Sequence, residues 1–316
     1  MHLTVAYITS RRQPRIEWFY ESLMLRIREC HEPPTIRVVV VDFHHGTRKL
    51  PKCPVGFRKL VKEFLKVPPK PCVWQGPHRL TKEDYFAAAN ARNTALCLAP
   101  DGWIAYVDDL SVLMPGWLEG VKQAIAGEYV VQGAYKKVRL LRSETAQKPR
   151  EVVWTWDEFD GGIDSRWKLT NGYVPLPSTP NWLYGCSCAM PVEALLKVNG
   201  WVELGDTLGM GGEDYLTGIL IGRNDYSFKY DRSMLTLESE EDHHIEPPLK
   251  RVIEHLPPRA DASVELLNQI QNSAITSHPG YADIREMRNK VLNGESFPIV
   301  QIPEHNWYSG KALSEY

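Results

Sequence analysis

The stretch 105-AYVDDLSVLMPGW-117 decides the fold class of this chain. Its apolar start runs directly into two adjacent aspartates, Asp108 and Asp109, and a Pro-Gly turn follows a few residues later. A short apolar run bounded by turn residues predicts a buried β-strand. The two carboxylates therefore stand where a strand ends, which is where ligands bind in open α/β sheets.

Two earlier segments repeat this arrangement. The apolar run 3-LTVAYI-8 is followed by Thr9 and Ser10, and 36-IRVVVV-41 is followed by Asp42. Helical patterns precede the later strands, over 14–27 with Pro14 at its start, and over 81–99 with Thr81 as a cap. Strands that alternate with helices predict a sheet covered by helices, with three polar strand ends at one edge.

The remainder of the chain is more mixed in character. The Pro- and Lys-rich segment 47–77 predicts an irregular surface insertion, and a longer β region begins near residue 128. A loop-rich stretch dense in aromatic residues, a short helix over 191–199 and a strand over 228–237 follow. We expect an α/β protein with a mixed sheet, divided into residues 1–125, 126–246 and a C-terminal extension, 247–316.

Composition limits the class of protein. The chain has 316 residues, 43% of them hydrophobic and 24% charged, with a net charge of −2, as in ordinary globular proteins. No apolar run approaches a membrane span, and the N-terminus lacks the layout of a secretion signal. We therefore expect a cytoplasmic protein, or one in the host cytoplasm if viral, that is not secreted. The sequence indicates no membrane or protein partner.

A second acidic pair follows a glycine-rich segment in 209-GMGGEDYLTGILIGR-223. Glu213 and Asp214 open an apolar, helix-like run. One interpretation is structural, because acidic residues in a first turn interact favourably with the helix dipole. The other is a catalytic carboxylate presented by a flexible backbone.

Two groups of residues could bind a metal ion. Asp108 and Asp109 repel each other, and a divalent cation would stabilise both, although paired aspartates also form turns. The late segment 238-ESEEDHHIEPP-248 adds His243 and His244, whose imidazoles together with carboxylates suit manganese. A solvated acidic loop is the alternative there.

The helix over 81–99 carries Arg92 and Asn93 among apolar residues. A helix that is buried on most sides rarely contains an arginine without a partner. Arg92 is therefore a candidate for ligand binding, with a surface arginine that extends to solvent as the alternative.

The order of these features resembles the GT-A fold nucleotide-sugar glycosyltransferases, in particular the family 2 type and the related polypeptide GalNAc-transferases. The resemblance covers about residues 3–244. Its most specific part is the pairing of 105-AYVDDLSVLMPGW-117 with 209-GMGGEDYLTGILI-221 about a hundred residues later. It implies a GT-A (Rossmann-like) mixed sheet flanked by helices.

The resemblance also implies roles for the candidate residues. Asp214 matches the catalytic base and Glu213 its partner. The residues implied in donor binding are Thr9, Arg11, Asp42, Arg92, Asn93, Asp108, Gly211 and Gly212. Asp108 and Asp109 match the Asp-X-Asp motif of these enzymes, whose second acid would stand at Leu110. Because this chain has leucine there, we prefer Asp109 as a ligand of Mn²⁺ or Mg²⁺, with His243 or His244.

The predicted function is a metal-dependent, inverting transfer of a sugar from a nucleotide-sugar to an acceptor hydroxyl, with a UDP-sugar favoured by the resemblance. Aromatic rings can stack on sugars or flipped bases. The candidates for acceptor binding are Trp154, Trp156, Trp182 and Tyr184. The chain also resembles the small soluble glycosyltransferases that modify hydroxymethylated pyrimidines in phage DNA. This resemblance implies a hydroxymethylated pyrimidine in DNA, such as 5-hydroxymethylcytosine, as acceptor. A glycan acceptor, a metal-dependent phosphoesterase or nuclease, and an inactive nucleotide-binding module are the alternatives.

Overall fold

A computed structural model describes residues 1–11, 13–46, 48–70, 88–144, 152–169, 175–203, 212–239, 268–278 and 283–297. The strands are β1 His2–Thr9, β2 Thr35–Asp42, β3 Glu63–Val67, β4 Trp103–Asp108, β5 Ser111–Leu113, β6 Val130–Glu144, β7 Val152–Ile163, β8 Leu176–Pro177, β9 Ser187–Pro191 and β10 Phe228–Ser239. The helices are α1 Ile16–Glu29, α2 Phe57–Leu60, α3 Ala88–Leu98, α4 Trp117–Ala126, α5 Val192–Lys197, α6 Glu213–Gly222 and α7 Ile284–Leu292.

Within these residues the strands form a single mixed sheet. Its order is β3-β2-β1-β4-β9-β6-β10-β5, with β7 paired to β6 and β8 paired to β10. The first four strands in this order are parallel, and β9 runs antiparallel to both β4 and β6. The α/β class and the mixed sheet predicted from the sequence are confirmed.

Helices cover both faces of the sheet because the buried strands are apolar on both sides. In β2, Val39 and Val41 pack toward α3, α5, α6 and α7, whereas Val38 and Val40 pack toward α1, α2 and α4. This alternation is the two-residue period of a strand. Among the described residues, none of the helices has the length and apolar character needed to cross a bilayer.

Two predictions about local structure were wrong. The segment 47–77 contains α2 and β3, and β3 extends the parallel sheet beside β2. A five-residue edge strand that is only half-buried needs little apolar sequence, so the surrounding prolines and lysines concealed it. The aromatic stretch contains β7, a twelve-residue strand antiparallel to β6.

The C-terminal part packs on the α3 side of the sheet. Ile270, Ile284 and Met287 belong to the same core as α3. Arg288 donates from Nε to the Ala99 carbonyl at 2.9 Å, just beyond the end of α3. The helix that carries Arg92 is therefore held between the sheet and the C-terminal extension.

Candidate active site

Three polar strand ends lie side by side at one edge of the sheet. β1 pairs in parallel with both β2 and β4, which places Thr9 opposite Asp42 and Ile8 opposite Asp108. This is the edge at which parallel sheets bind ligands. The topology thus brings together candidates that are separated by about a hundred residues in the sequence.

Asp108 and Asp109 have different partners, since Asp108 ends β4 and Asp109 begins the turn that follows. Asp109 accepts from Thr9 Oγ1 at 2.8 Å and from Arg11 Nε at 3.0 Å. Asp108 Oδ1 lies 3.4 Å from Arg92 Nη2. Burial raises the pKa of both carboxyl groups, and the neighbouring arginines oppose the rise. Each aspartate is therefore held by a cation of its own.

The turn after this pair is fixed by its backbone. Leu110 has a φ of 58°, in the left-handed region, and its side chain is fully buried. Its N–H donates to the Pro14 carbonyl at 3.1 Å, and its carbonyl accepts from the Ser239 N–H at 3.0 Å. Leu110, where the Asp-X-Asp motif would have its second acid, is thus a buried apolar residue. Its backbone joins the segment before α1 to the end of β10.

Asp42 is also bonded within the protein. Its Oδ1 accepts from Arg48 Nη2 at 2.6 Å and from the His44 N–H at 2.9 Å. Arg48 also donates to the Arg11 carbonyl, and His44 Nε2 lies 2.9 Å from the Ser10 carbonyl. These bonds join the loop after β2 to the loop after β1.

The second acidic pair opens α6, as the sequence predicts. Gly212 precedes the helix with a φ of 105°, which glycine adopts readily. Glu213 is buried, and its Oε1 accepts from Arg92 Nη1 at 2.6 Å. The pair therefore begins a helix and also belongs to a charged cluster, so the structural and functional interpretations are compatible.

Asp214 is held by two backbone N–H groups. Its Oδ1 accepts from the Tyr215 N–H at 2.8 Å, and its Oδ2 accepts from the Gly185 N–H at 3.3 Å. Burial and the charge of Glu213 raise its pKa to about 6, against the opposing effect of Arg92. A carboxyl with a pKa near neutrality accepts a proton efficiently at physiological pH.

Arg92 and Asn93 both point into the protein. Arg92 is only 3% exposed, so it is not a surface arginine that extends to solvent. Asn93 donates from Nδ2 to the Trp201 carbonyl at 2.9 Å and to Glu203 Oε1 at 2.8 Å, and its Oδ1 accepts from the Trp201 N–H. Asn93 thus anchors the segment that follows α5.

The two described acceptor candidates lie beside a buried ion pair. Arg166 donates from Nη1 to the Trp182 carbonyl at 2.7 Å, and its guanidinium lies 4.3 Å from the centre of the Tyr184 ring. Tyr184 directly precedes Gly185, whose N–H binds Asp214. Tyr184 is therefore one residue away from the backbone N–H that binds the candidate base.

Sequence reasoning missed Glu238, the penultimate residue of β10. Glu238 lies opposite Ser111 on β5 and Lys137 on β6, close to the turn after β4. Burial and the charge of Asp108 raise its pKa to about 8. The sequence offered one signal, a polar residue at a strand end, but Glu238 begins an acidic run that suggests a solvated loop.

The predicted metal site is described only in part. His243, His244 and Gly211, and the side chains of Trp154 and Trp156, lie outside the described residues. Within the described ranges, no group of three or more His, Cys, Asp or Glu side chains could hold a metal ion. Asp108 is the better-placed aspartate for a cation, because both oxygens of Asp109 already accept hydrogen bonds. Asp109 as the metal ligand stays a prediction.

Comparison with solved structures decides the fold. The sequence matches no protein-family model and no curated protein. The structure matches S. aureus TarS 1-349 in complex with UDP, with a TM-score of 0.50 and 16% identity over 85% of this chain. The chain has the GT-A fold.

The matched region spans 66% of the TarS chain, so this protein covers a little less than two thirds of that neighbour. A second GT-A structure, GalNAc-T7 with UDP, GalNAc and Mn²⁺, matches with a TM-score of 0.49 and 12% identity over 94% of this chain and 55% of its own. The match to TarS confirms the fold that the sequence resemblance implies.

Proposed function

We propose that this protein is a metal-dependent glycosyltransferase that moves a sugar from a nucleotide-sugar, a UDP-sugar, to an acceptor hydroxyl. The observation that carries this proposal is the position of Asp214. Arg92 bonds both Asp108 at the ligand-binding edge and Glu213 beside Asp214, so the candidate base belongs to the same cluster as the strand ends. The UDP in the TarS structure supports uridine in the donor.

Asp214 would act as the general base. Its carboxylate takes the proton from the acceptor hydroxyl while the oxygen forms a bond to the anomeric carbon. The bond from that carbon to the diphosphate oxygen breaks, and the nucleoside diphosphate leaves with the electron pair. Asp214 is then protonated and returns its proton to water.

A divalent cation, Mn²⁺ or Mg²⁺, would neutralise charge on the leaving diphosphate. From the described part of the site, Asp109, the ligand that the sequence predicts, or Asp108 would contribute a ligand, and His243 or His244 would complete the set. The chain's own contribution is to hold Asp108 at the strand end through Arg92. Thr9, Arg11 and Asp42 would line the nucleotide side of the same edge.

We propose that residues 1–125 form the donor half and residues 126–246 the acceptor and catalytic half.

Thermal unfolding with UDP, GDP, CDP or ADP, each with and without Mn²⁺, tests nucleotide binding by the donor half. A ligand at about 100 times its dissociation constant adds ~2.7 kcal/mol of stability, a shift of a few degrees. A metal-dependent shift with UDP supports the proposal, whereas a shift with metal alone favours a hydrolase.

The transfer would invert the anomeric configuration, because a single base on the acceptor side supports one direct displacement. The anomeric coupling constant in the NMR spectrum of the product tests this. Retention of configuration would remove Asp214 from the role of single-displacement base.

For the acceptor we propose a hydroxymethylated pyrimidine in DNA rather than a glycan. Tyr184 supports this proposal, because it offers an aromatic ring beside the backbone that binds Asp214. The test is transfer of sugar to duplexes that contain 5-hydroxymethylcytosine, with cytosine duplexes as control and a gel shift at two salt concentrations. No binding at low salt would contradict a DNA acceptor.

A further inference from the structure

Arg92 joins two parts of the site that come from distant segments of the chain. Its Nη1 donates to Glu213 Oε1 at 2.6 Å, at the start of α6. Its Nη2 lies 3.4 Å from Asp108 Oδ1, at the end of β4. The guanidinium also lies 4.9 Å from the centre of the Trp201 ring. One side chain thus spans the interval between the strand end and the helix that carries Asp214.

Gly185 makes room for this side chain. A Cβ atom at Gly185 would lie 2.1 Å from Arg92 Cζ and 2.4 Å from Arg92 Nη2, closer than any non-bonded contact allows. The Gly185 N–H also donates to Asp214 Oδ2 at 3.3 Å. The same glycine therefore packs against the Arg92 guanidinium and donates a hydrogen bond to Asp214, the candidate base.

We propose that Arg92, seated against Gly185, is a positioning residue that fixes Asp214 relative to Asp108, and that it is not a ligand of the nucleotide. This inference rests on the proposed function of Asp214 as base. It replaces the donor-binding role that the sequence resemblance implies for Arg92.

Enclosure and charge support this assignment. A guanidinium that binds a diphosphate must face the ligand, whereas Arg92 is 3% exposed and enclosed by Trp201 and Gly185. The guanidinium is paired with Glu213 at 2.6 Å and lies 3.4 Å from Asp108. One cation shared among these carboxylates keeps them together despite their mutual repulsion.

Two variants disturb this contact from opposite sides. Arg92→Lys keeps the charge but replaces the planar fork with a single ammonium group. Gly185→Ala keeps every charged group and the Gly185 N–H but forces the guanidinium to move. The matched controls are Arg288→Lys, a buried arginine paired with Asp101, and Gly127→Ala, where a Cβ would meet the Tyr129 ring at 2.6 Å.

The first measurement is steady-state kinetics in Mn²⁺, together with the affinity for UDP by calorimetry. Displacement of a catalytic group by about 1 Å lowers the rate by about 100-fold. We expect both site variants to lower kcat by about that factor, with donor KM and UDP affinity within about twofold of the unaltered protein. Both controls should leave all three values unchanged. A tenfold weaker UDP affinity with kcat preserved would overturn the assignment.

The second measurement does not depend on turnover. Hydrogen exchange followed by mass spectrometry should show faster exchange in the peptide over 212–222 for both site variants, because α6 loses its anchor, while the controls exchange at the original rate. Unchanged exchange there in both variants would overturn the positioning role even if no donor is found. Absence of nucleotide binding and transfer in the unaltered protein would instead contradict the proposed function.

Discussion

Arg92 and Arg166 are both buried arginines that pair with aspartate and lie against an aromatic ring, but their bonding differs. Arg166 pairs with Asp164, two residues earlier, through Nε at 2.9 Å and Nη2 at 2.7 Å, and also donates to the carbonyls of Trp182 and Gly133. Arg92 bonds carboxylates from two other elements, and its Nε has no hydrogen-bond partner among the described residues.

We infer that the Arg166 ion pair is structural, whereas the Arg92 cluster serves the function proposed above. Arg166 has all its bonds in one compact arrangement that fixes the backbone around Trp182, so any change there acts on folding. The carboxylates near Arg92 lie at a strand end and a helix start, where a ligand can reach them. Changes in the Arg92 cluster should therefore affect turnover more than stability, and changes around Arg166 should do the reverse.

The largest effect is expected from Asp214→Asn, which removes the base but keeps the size of the side chain. General base catalysis contributes about 100- to 10,000-fold, so kcat should fall within that range. The melting temperature and the affinity for UDP should remain close to those of the unaltered protein. Sugar transfer measured by release of UDP tests this.

A matched control is Asp225→Asn, at the other end of α6. Asp225 is exposed and has a φ of 64°, which asparagine also tolerates. It should have full activity. Equal activity of Asp214→Asn and Asp225→Asn would show that Asp214 is not the base. The Arg92 cluster would then differ from the Arg166 pair in bonding only and not in its effect on turnover.

The next largest effect is expected from Asp164→Asn, which leaves the Arg166 cation buried without its carboxylate. Removal of one partner of a buried ion pair destabilises a protein by about 3–5 kcal/mol. The midpoint of urea unfolding should move to lower urea, while kcat of the folded protein at low temperature changes little.

The control for this experiment is Glu193→Gln, at the exposed ion pair with Arg285, because an exposed ion pair contributes at most about 1 kcal/mol. An Asp164→Asn protein that unfolds at the original urea concentration would show that the Arg166–Asp164 ion pair does not stabilise the fold.

The sequence was sufficient to predict the strand ends. Thr9, Asp42 and Asp108 follow apolar runs, and the parallel order places such ends at one edge. Gly212, Glu213 and Asp214 were also recognised as the start of a helix. These features depend on residues near one another in the chain, so local patterns contain them.

The partners within the site could not be predicted in the same way. The pairs Arg92–Glu213 and Thr9–Asp109 join residues 121 and 100 positions apart, and no local pattern specifies them. The adjacent aspartates suggested one metal site, but the turn that begins at Asp109 directs them to different arginines. Gly185 has no special backbone angle, and its role is apparent only from the side chain packed against it.

A moderate effect of pH on turnover is expected through Asp214, in the Arg92 cluster. Asp214 must be deprotonated to act as base, and its pKa is raised to about 6 by burial and by Glu213. The value of kcat/KM should therefore fall about tenfold for each pH unit below 6 and level off above it. A rate that stays constant from pH 7 down to pH 5 would contradict this role of Asp214.

The smallest effect is expected from Glu238→Gln. The Glu238 carboxyl is a third acidic group, and its bonding is intermediate between that of the Arg92 cluster and that of the Arg166 pair. Lys137 Nζ lies 3.9 Å from Glu238 Oε1, so this ion pair is longer than that of Arg166 with Asp164, at 2.7 Å. Burial and Asp108 raise the pKa of Glu238 from its ordinary value of 4.5 to about 8. The unfolded chain therefore releases this proton at a lower pH than the folded protein does.

The sign of the effect on stability follows from this difference. Between pH 4.5 and pH 8 the Glu238 carboxyl keeps its proton in the folded protein and has lost it in the unfolded chain. The free energy of unfolding therefore decreases as pH rises through this range. Glutamine does not ionise, so Glu238→Gln should be more stable than the unaltered protein at pH 8.5, by on the order of 1–2 kcal/mol, and nearly equal at pH 4.5. Urea unfolding at both pH values, in EDTA to exclude metal, measures this. A variant that is less stable at pH 8.5 would show that Glu238 is fully compensated in the folded protein, as Asp164 is by Arg166.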